Sequence, residues 1–263
     1  MRLAVIADIH GNVLALEAVL ADIDRRGADL TIDLGDCVSG PLWPAETYAL
    51  LQHRRFPTVR GNHDRALIKV APQQGRSDAF AIAALAAAEK PEPRSWEHLA
   101  RTEMTPAACR ALAALPPILE PLPGVIAFHG TPADDAAYLL EDVVDGSLTL
   151  ASAAAIARRL GATTHQLVLC AHSHQPRTMR SGASLIVNPG SVGCPAYADP
   201  TPSSPHVSET GSPHARYALL DNVSGRWTVD HIAVAYDWTR AAERAHVNNR
   251  SEWAMALSTG RVR

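Results

Sequence analysis

The chain has 263 residues, 47% of them hydrophobic and 19% charged, with a formal net charge of −3, enough to bury a full-sized core as one domain over 1–263. The acidic balance lacks the basic stripe of a nucleic-acid binder, no apolar run reaches the ~18 residues of a membrane span, and strand-like residues begin at Leu3 with no basic leader before them. A cytoplasmic protein without a membrane or nucleic-acid partner is expected, and Cys37, Cys109, Cys170 and Cys194, scattered and without a CxxC pair, read as reduced thiols.

The first element is an apolar run, Leu3 to Ile9, that carries Asp8 and His10 at its end. Side chains two apart on a strand share a face, so an oxygen donor and a nitrogen donor are expected to point at one spot. Asn12 is placed to cap a helix in which Leu16, Val19, Leu20 and Ile23 recur at steps of three and four, with Gly27 as its stop. Leu30 to Asp36 is a second β-type run that ends on Gly35 and a carboxylate. Pro44 starts a short helix reaching His53.

Phe56 to Val59 reads as a short strand followed by Gly61-Asn62-His63-Asp64. From about 65 to 116 the composition turns to alanine, and a helical insertion is expected there, with helices near Asp78–Glu89 and Thr105–Leu115. Gly124 to Phe128 is a strand ending on His129-Gly130; Ala151 to Leu160 is a helix closed by Gly161; Gln166 to Ala171 runs into His172-Ser173-His174. Ser184 to Val187 leads into the turn Asn188-Pro189-Gly190-Ser191, and Arg216–Leu220 with Trp227–Val234 reads as an edge hairpin. Residues 195–214, with five prolines, read as a long loop, a lid or a disordered segment. The tail over 237–263 is expected to be helical and to pack on the sheet or on a neighbouring subunit, which leaves a homo-oligomer open.

Twelve histidines are many for such a chain. His53, His98, His165, His231 and His246 read as ordinary surface or hydrogen-bonded residues, and His206 and His214 as surface residues of the loop. The others gather with carboxylates at strand ends: Asp8, His10, Asp36, Asn62, His63, His129, His172 and His174. In open α/β sheets, ligands and catalytic groups collect at the carboxyl ends of strands. One such ending is a common helix cap; five together are not. Carboxylate, imidazole and amide oxygen suit Mn, Fe, Zn, Co or Ni better than Ca or Mg. Even seven of these donors are too many for one ion in an open geometry, and two divalent ions sharing a carboxylate fit better.

The order Asp8-Ile9-His10, Gly35-Asp36, Gly61-Asn62-His63-Asp64, Phe128-His129-Gly130, His172-Ser173-His174 resembles that of the calcineurin-like metallophosphoesterases, in particular their small bacterial phosphodiesterase branch, over about two thirds of the chain. The resemblance implies a four-layer α/β/β/α sandwich of two mixed sheets with a dinuclear site at the strand ends. It implies that Asp8, His10 and His174 hold one metal and Asn62, His129 and His172 the other, with Asp36 as the bridge. It further implies a metal-bridging hydroxide as nucleophile, His63 as the group that assists the leaving oxygen, and a small phosphoester as substrate, with Mn the favoured metal. Arg65 is the candidate phosphate clamp, and Asn188 the candidate lining of the phosphate pocket. Ser39 stands where protein phosphatases of the family carry the aspartate that orients the catalytic histidine, which argues against that branch. A phosphodiesterase is the expectation; a phosphomonoesterase and a non-catalytic metal-binding scaffold are the alternatives.

Overall fold

The computed structural model describes residues 1–68 and 95–262; the helix expected near Asp78–Glu89 lies outside them. Strand β1 (Arg2–Ile6) leads through helix α1 (Val13–Arg26) to β2 (Leu30–Asp33), parallel to β1 with Leu3 opposite Leu30. The Asn12 side chain accepts from the Ala15 amide, and Gly27 closes α1 in the left-handed region, at φ 75°. Helices α2 (Pro44–Arg54) and α3 (Asn62–Ala66) follow, then α4 (His98–Glu103) and α5 (Pro106–Ala113), whose Thr105 cap accepts from the Ala108 amide. The chain continues with β3 (Ile118–Leu122), β4 (Val125–Phe128), β5 (Glu141–Val144), β6 (Ser147–Leu150), α6 (Ala153–Leu160), β7 (Leu167–Leu169), β8 (Arg177–Ser181) and β9 (Ser184–Asn188). It ends with β10 (Ala196–Asp199), β11 (His206–Glu209), β12 (Ala215–Val223), β13 (Arg226–Val234), α7 (Trp238–Val247) and α8 (Ser251–Thr259).

Two mixed sheets, β13-β12-β1-β2 and β3-β4-β7-β9-β8, lie face to face. Alternation along each strand builds the layers. Leu3, Val5, Val125, Ala127, Leu167, Leu169, Leu185 and Val187 fill the space between the sheets. Their neighbours point outward: Ala4 and Ile6 meet Leu16, Val19, Leu20 and Ile23 of α1, while Phe128, Val168 and Ile186 meet Ile156 and Leu160 of α6. Strands buried on both faces read as continuous apolar runs, which is why these were visible in the sequence. A fully buried leucine such as Leu16 contributes enough that truncation to alanine would cost about 3 kcal/mol.

A third, smaller sheet, β10-β11-β6-β5, corrects the reading of 195–214 as a loop. The prolines lie outside both strands: 195 precedes the hairpin, 200, 202 and 205 lie in its connection, and 213 follows it. The strands went unseen because β11 buries polar side chains: Ser208 donates to the Ser173 carbonyl at 2.7 Å, and Nε2 of His206, which is buried, lies 2.7 Å from the Tyr138 hydroxyl. The segment Phe56–Val59 makes a single bridge, Thr58 to Asp33, in place of a strand. Helices α7 and α8 pack with Leu42, Trp43, Trp96, Cys194 and Tyr197 over the loops at the strand ends. Among the described residues no helix is long and apolar enough to cross a membrane.

Candidate metal centre

The donors sit in loops just beyond the strands, and their convergence does not come from strand alternation. Strand β1 stops at Ile6 and β7 at Leu169. Asp8, His10, Asp36, His172 and His174 all have left-handed backbone, with φ between 50° and 71°. Such conformations cost energy in non-glycine residues and persist where the surroundings impose them, most often at functional sites. Backbone bonds supply the constraint here. The amides of Asp8 and His10 donate to the carbonyls of Gly35 and Asp36, each at 3.0 Å, and the Asp8 carbonyl accepts from the Gly193 amide at 3.0 Å and the Ser191 hydroxyl at 2.7 Å.

Two groups of three result. Asp8, His10 and His174 form one, and Asp36, His129 and His172 the other. Nε2 of His10 and Nε2 of His174 face each other at 3.2 Å. Each ring's other nitrogen is held by the protein: Nδ1 of His10 by the Ser39 hydroxyl at 2.9 Å, Nδ1 of His174 by the Cys194 carbonyl at 2.7 Å. Two imidazole nitrogens each ~2.0–2.1 Å from one tetrahedral ion would stand about 3.3 Å apart. His129 is held likewise, Nδ1 to the Leu34 carbonyl at 2.7 Å, while its Nε2 lies 3.3 Å from Oδ2 of Asp36. His172 is turned the other way. Its Nε2 lies 3.0 Å from the Ala136 carbonyl, which leaves Nδ1 as the nitrogen free to bind. Such outer partners fix tautomer and ring orientation at metal sites.

Asp36 reaches both groups, with Oδ2 3.9 Å from Nε2 of His10 and 3.3 Å from Nε2 of His129. Both carboxylate oxygens of Asp8, Oδ1 of Asn62 and Nε2 of His129 are buried with no hydrogen-bond partner. Buried polar atoms are rarely left so, and these are oxygen and nitrogen donors aimed into one space; the residues fit two divalent cations. Electrostatics within the cluster agree. Burial and the neighbouring His174 push His10 down to about 3, and burial and His129 push His172 down to about 4. His129 is raised to about 10 because Asp36 and Asp8 outweigh its burial. In the metal-free cluster protons take the place of positive charge.

Asp64 ties the loops together. Its carboxylate accepts from the amides of Asp36 at 2.8 Å, Cys37 at 3.0 Å and Gly61 at 3.0 Å. Burial and the charge of Asp36 raise it to about 6, against the three amide bonds. Gly61 leaves room for the bridge: a Cβ there would stand 2.0 Å from Oδ1 of Asp36.

His63 begins α3, and its amide donates to Oδ1 of Asp36 at 2.9 Å. Its Nδ1 lies 2.7 Å from Oε1 of Glu97, and its ring stacks on Trp96 at 4.7 Å between centroids. Burial opposes charge on His63, but Asp36 and Glu97 prevail and raise its pKa. The remaining Nε2 is the nitrogen available to a substrate. A cavity of about 350 Å³ opens over Asp36, Asn62, His63, His172 and His174, walled by Trp96, Tyr138 and Tyr197. Tyr138 stacks on His172 at 4.9 Å, and its hydroxyl lies 2.7 Å from that of Tyr197.

The structure therefore brings together Asp8, His10, Asp36, Asn62, His63, His129, His172 and His174. It separates two other candidates from the cavity. Arg65 is paired with Asp135 by two bonds of 2.9 and 2.7 Å, because Asp135 lies beside it at the surface. Asn188 is buried and spends its amide on the protein: Nδ2 donates to the Ala171 carbonyl and the Ser173 hydroxyl, each at 3.0 Å, and Oδ1 accepts from the Gly190 amide at 2.9 Å. It shapes the loop that carries His172 and His174, and faces no substrate. Glu97, Trp96, Tyr138 and Tyr197 were missed; none belongs to a local pattern. Asp64 lay within the quoted motif without a role.

A sandwich of two mixed sheets with two clusters of oxygen and nitrogen donors at its strand ends defines the architecture of a metal-dependent phosphoesterase. A sequence model of the calcineurin-like phosphoesterase superfamily domain matches residues 1–210, and the chain belongs to that family. It is 27% identical to an uncharacterized protein of Methanocaldococcus jannaschii over 95% of this chain and 94% of that one. The fold is similar to a metallophosphoesterase from Sphaerobacter thermophilus, with a TM-score of 0.73, 23% identity and 99% of both chains covered. It is also similar to a hypothetical protein from Pyrococcus horikoshii, with a TM-score of 0.68, 21% identity, and 99% of this chain and 98% of that one covered. The family and the donor set support metal-dependent hydrolysis of a phosphoester.

Proposed function

We propose that the protein is a phosphodiesterase that uses two divalent transition-metal ions, Mn first among them. Asp8, His10 and His174 would hold one ion, Asn62, His129 and His172 the other, and Asp36 would bridge them. The observation that carries the reading is the position of Asp36, within 3.9 Å of both donor groups, with His63 bonded to its other carboxylate oxygen. When bound, two such ions would lower the pKa of water and neutralise charge on the phosphoryl oxygens.

The chain's own residues do the rest. A water oxygen forms a bond to phosphorus and gives up one proton to solvent, while the bond to the leaving alcohol breaks and the leaving oxygen keeps that electron pair. His63, whose pKa Asp36 and Glu97 raise against the effect of its burial, gives the proton on Nε2 to that oxygen. Trp96 and Glu97 fix the ring plane, so the proton is aimed before the substrate arrives. A diester, with one negative charge, suits this cavity better than a monoester dianion: Asp36 and Asp199 line it, no lysine or arginine lines it among the described residues, and Arg65 is committed to Asp135.

The test is hydrolysis of bis(p-nitrophenyl) phosphate against p-nitrophenyl phosphate with Mn²⁺ supplied. Faster turnover of the diester is expected, and His63→Ala should lose most of it while retaining both ions. Faster turnover of the monoester would replace the reading by a phosphatase; inactivity on both would favour a scaffold.

A further inference from the structure

A second cavity, of about 460 Å³, adjoins the one over the donor groups. The two share Trp96, Tyr197, Ala198 and Pro200 as a common wall. The far side is formed by the tail, through Trp253 and Ala256 of α8 and Val262 beyond it. The one cation among these lining residues, Arg250, is turned onto Glu252, with its guanidinium 6.0 Å from the Trp253 ring centre. Apart from this pair the open surface is mostly aromatic and aliphatic, of a size that takes a small organic group.

The shared wall faces the reacting groups. Trp96 stacks on His63 at 4.7 Å and stands edge-on to His10 at 4.9 Å, and Tyr197 stands edge-on to His174 at 4.7 Å. Trp96 also meets Trp253 edge-on at 4.7 Å, so one aromatic cluster runs from His63 to the floor of the second cavity. His63 and Trp96 both line the first cavity, so an oxygen that takes its proton from Nε2 of His63 would sit next to the wall that the two cavities share.

We infer that the second cavity receives the leaving alcohol of the substrate, and that this alcohol bears a planar, apolar group. The inference rests on the phosphodiesterase reading and on His63 as the proton donor. Stacking and edge-to-face contacts with Trp96, Tyr197 and Trp253 would hold such a group more firmly than an alkyl chain of the same area. Cleavage leaves the bonding pair on the alcohol oxygen, and the proton from His63 makes the departing product neutral.

The test compares phenyl methyl phosphate with biphenyl-4-yl methyl phosphate, whose leaving phenols are close in acidity, with Mn²⁺ supplied. The wild type is expected to prefer the biphenylyl ester by about tenfold in kcat/KM, or ~1.4 kcal/mol. Ala256→Phe fills the cavity from α8, and Val262→Trp narrows it from the end of the chain. Each should bring the preference to within about twofold while leaving the phenyl ester's kcat/KM near the wild-type value. Should Ala256→Phe fail to fold, Val262→Trp carries the comparison. Turnover of both esters at equal kcat/KM by the wild type would overturn the inference and leave the phosphodiesterase reading standing, as would a preference that folded variants keep. Turnover of neither ester would overturn both.

Discussion

Oε1 of Glu97 lies 2.7 Å from Nδ1 of His63, thirty-four residues upstream, and pairs a carboxylate with the imidazole that faces the cavity. The position at which the family's protein phosphatases carry an orienting aspartate is Ser39, and Ser39 serves His10 instead, with its hydroxyl 2.9 Å from Nδ1. The acid partner of His63 thus comes from a different part of the chain.

Glu97→Gln should lower kcat by about 10- to 100-fold with the metal content unchanged. The loss should be smaller for p-nitrophenyl than for phenyl esters, since a good leaving group needs less protonation. Glu97→Asp should recover part of the rate. Kinetics on both esters, with metal analysis of each variant, make the check; an equal loss on both would assign Glu97 to folding alone.

Ser39→Ala removes the hydroxyl that fixes His10 and leaves the Ser39 carbonyl, at 3.2 Å, as the only partner of Nδ1. Affinity at one of the two proposed sites should fall by about tenfold. Competition with a metal-indicator dye would show one weakened and one unchanged binding step.

Gly61→Ala is a steric test. The backbone there, at φ −82°, is open to any residue, but the new Cβ would stand 2.0 Å from Oδ1 of Asp36 and 2.5 Å from its amide. Overpacking of this kind costs about 1–3 kcal/mol, and displacement of Asp36 should remove at least one bound ion. Thermal melting and metal analysis would both register it.

Glu141 gives the metal-free protein a pH dependence. Burial raises it from 4.5 to about 7, although Arg177 lies 2.8 Å away and opposes the shift. Between those values the folded chain holds a proton that the unfolded chain releases. This contribution to stability is therefore full below about 4.5 and lost as the pH rises through 7. It should amount to something on the order of 2 kcal/mol, because Glu141 is almost fully buried. Melting of chelator-treated protein at pH 5 and pH 8 should show the loss, and Glu141→Gln should flatten it.

The sequence made the buried strands legible because β1, β4, β7 and β9 are apolar on both faces. It hid β8, an edge strand whose residues Arg177 to Ser181 are polar except for Met179, and β11, whose inward residues are His206 and Ser208. The eight residues that converge were legible because carboxylates and imidazoles have few reasons to end an apolar run. The means of their convergence was not, since left-handed backbone at Asp8, His10, Asp36, His172 and His174 has no sequence signal when the residue is not glycine. Nor were Glu97 and Trp96, which meet His63 only through tertiary packing. Asn188 shows the reverse error, a polar residue in a telling turn whose amide is consumed by Ala171, Ser173 and Gly190.

The most direct test of the two-metal reading is the rate of bis(p-nitrophenyl) phosphate hydrolysis as Mn²⁺ is added in measured equivalents to chelator-treated protein. The rate should rise and level off at about two equivalents per chain, with both ions retained by His63→Ala. A plateau at about one equivalent, or a rate that does not depend on added metal, would contradict it.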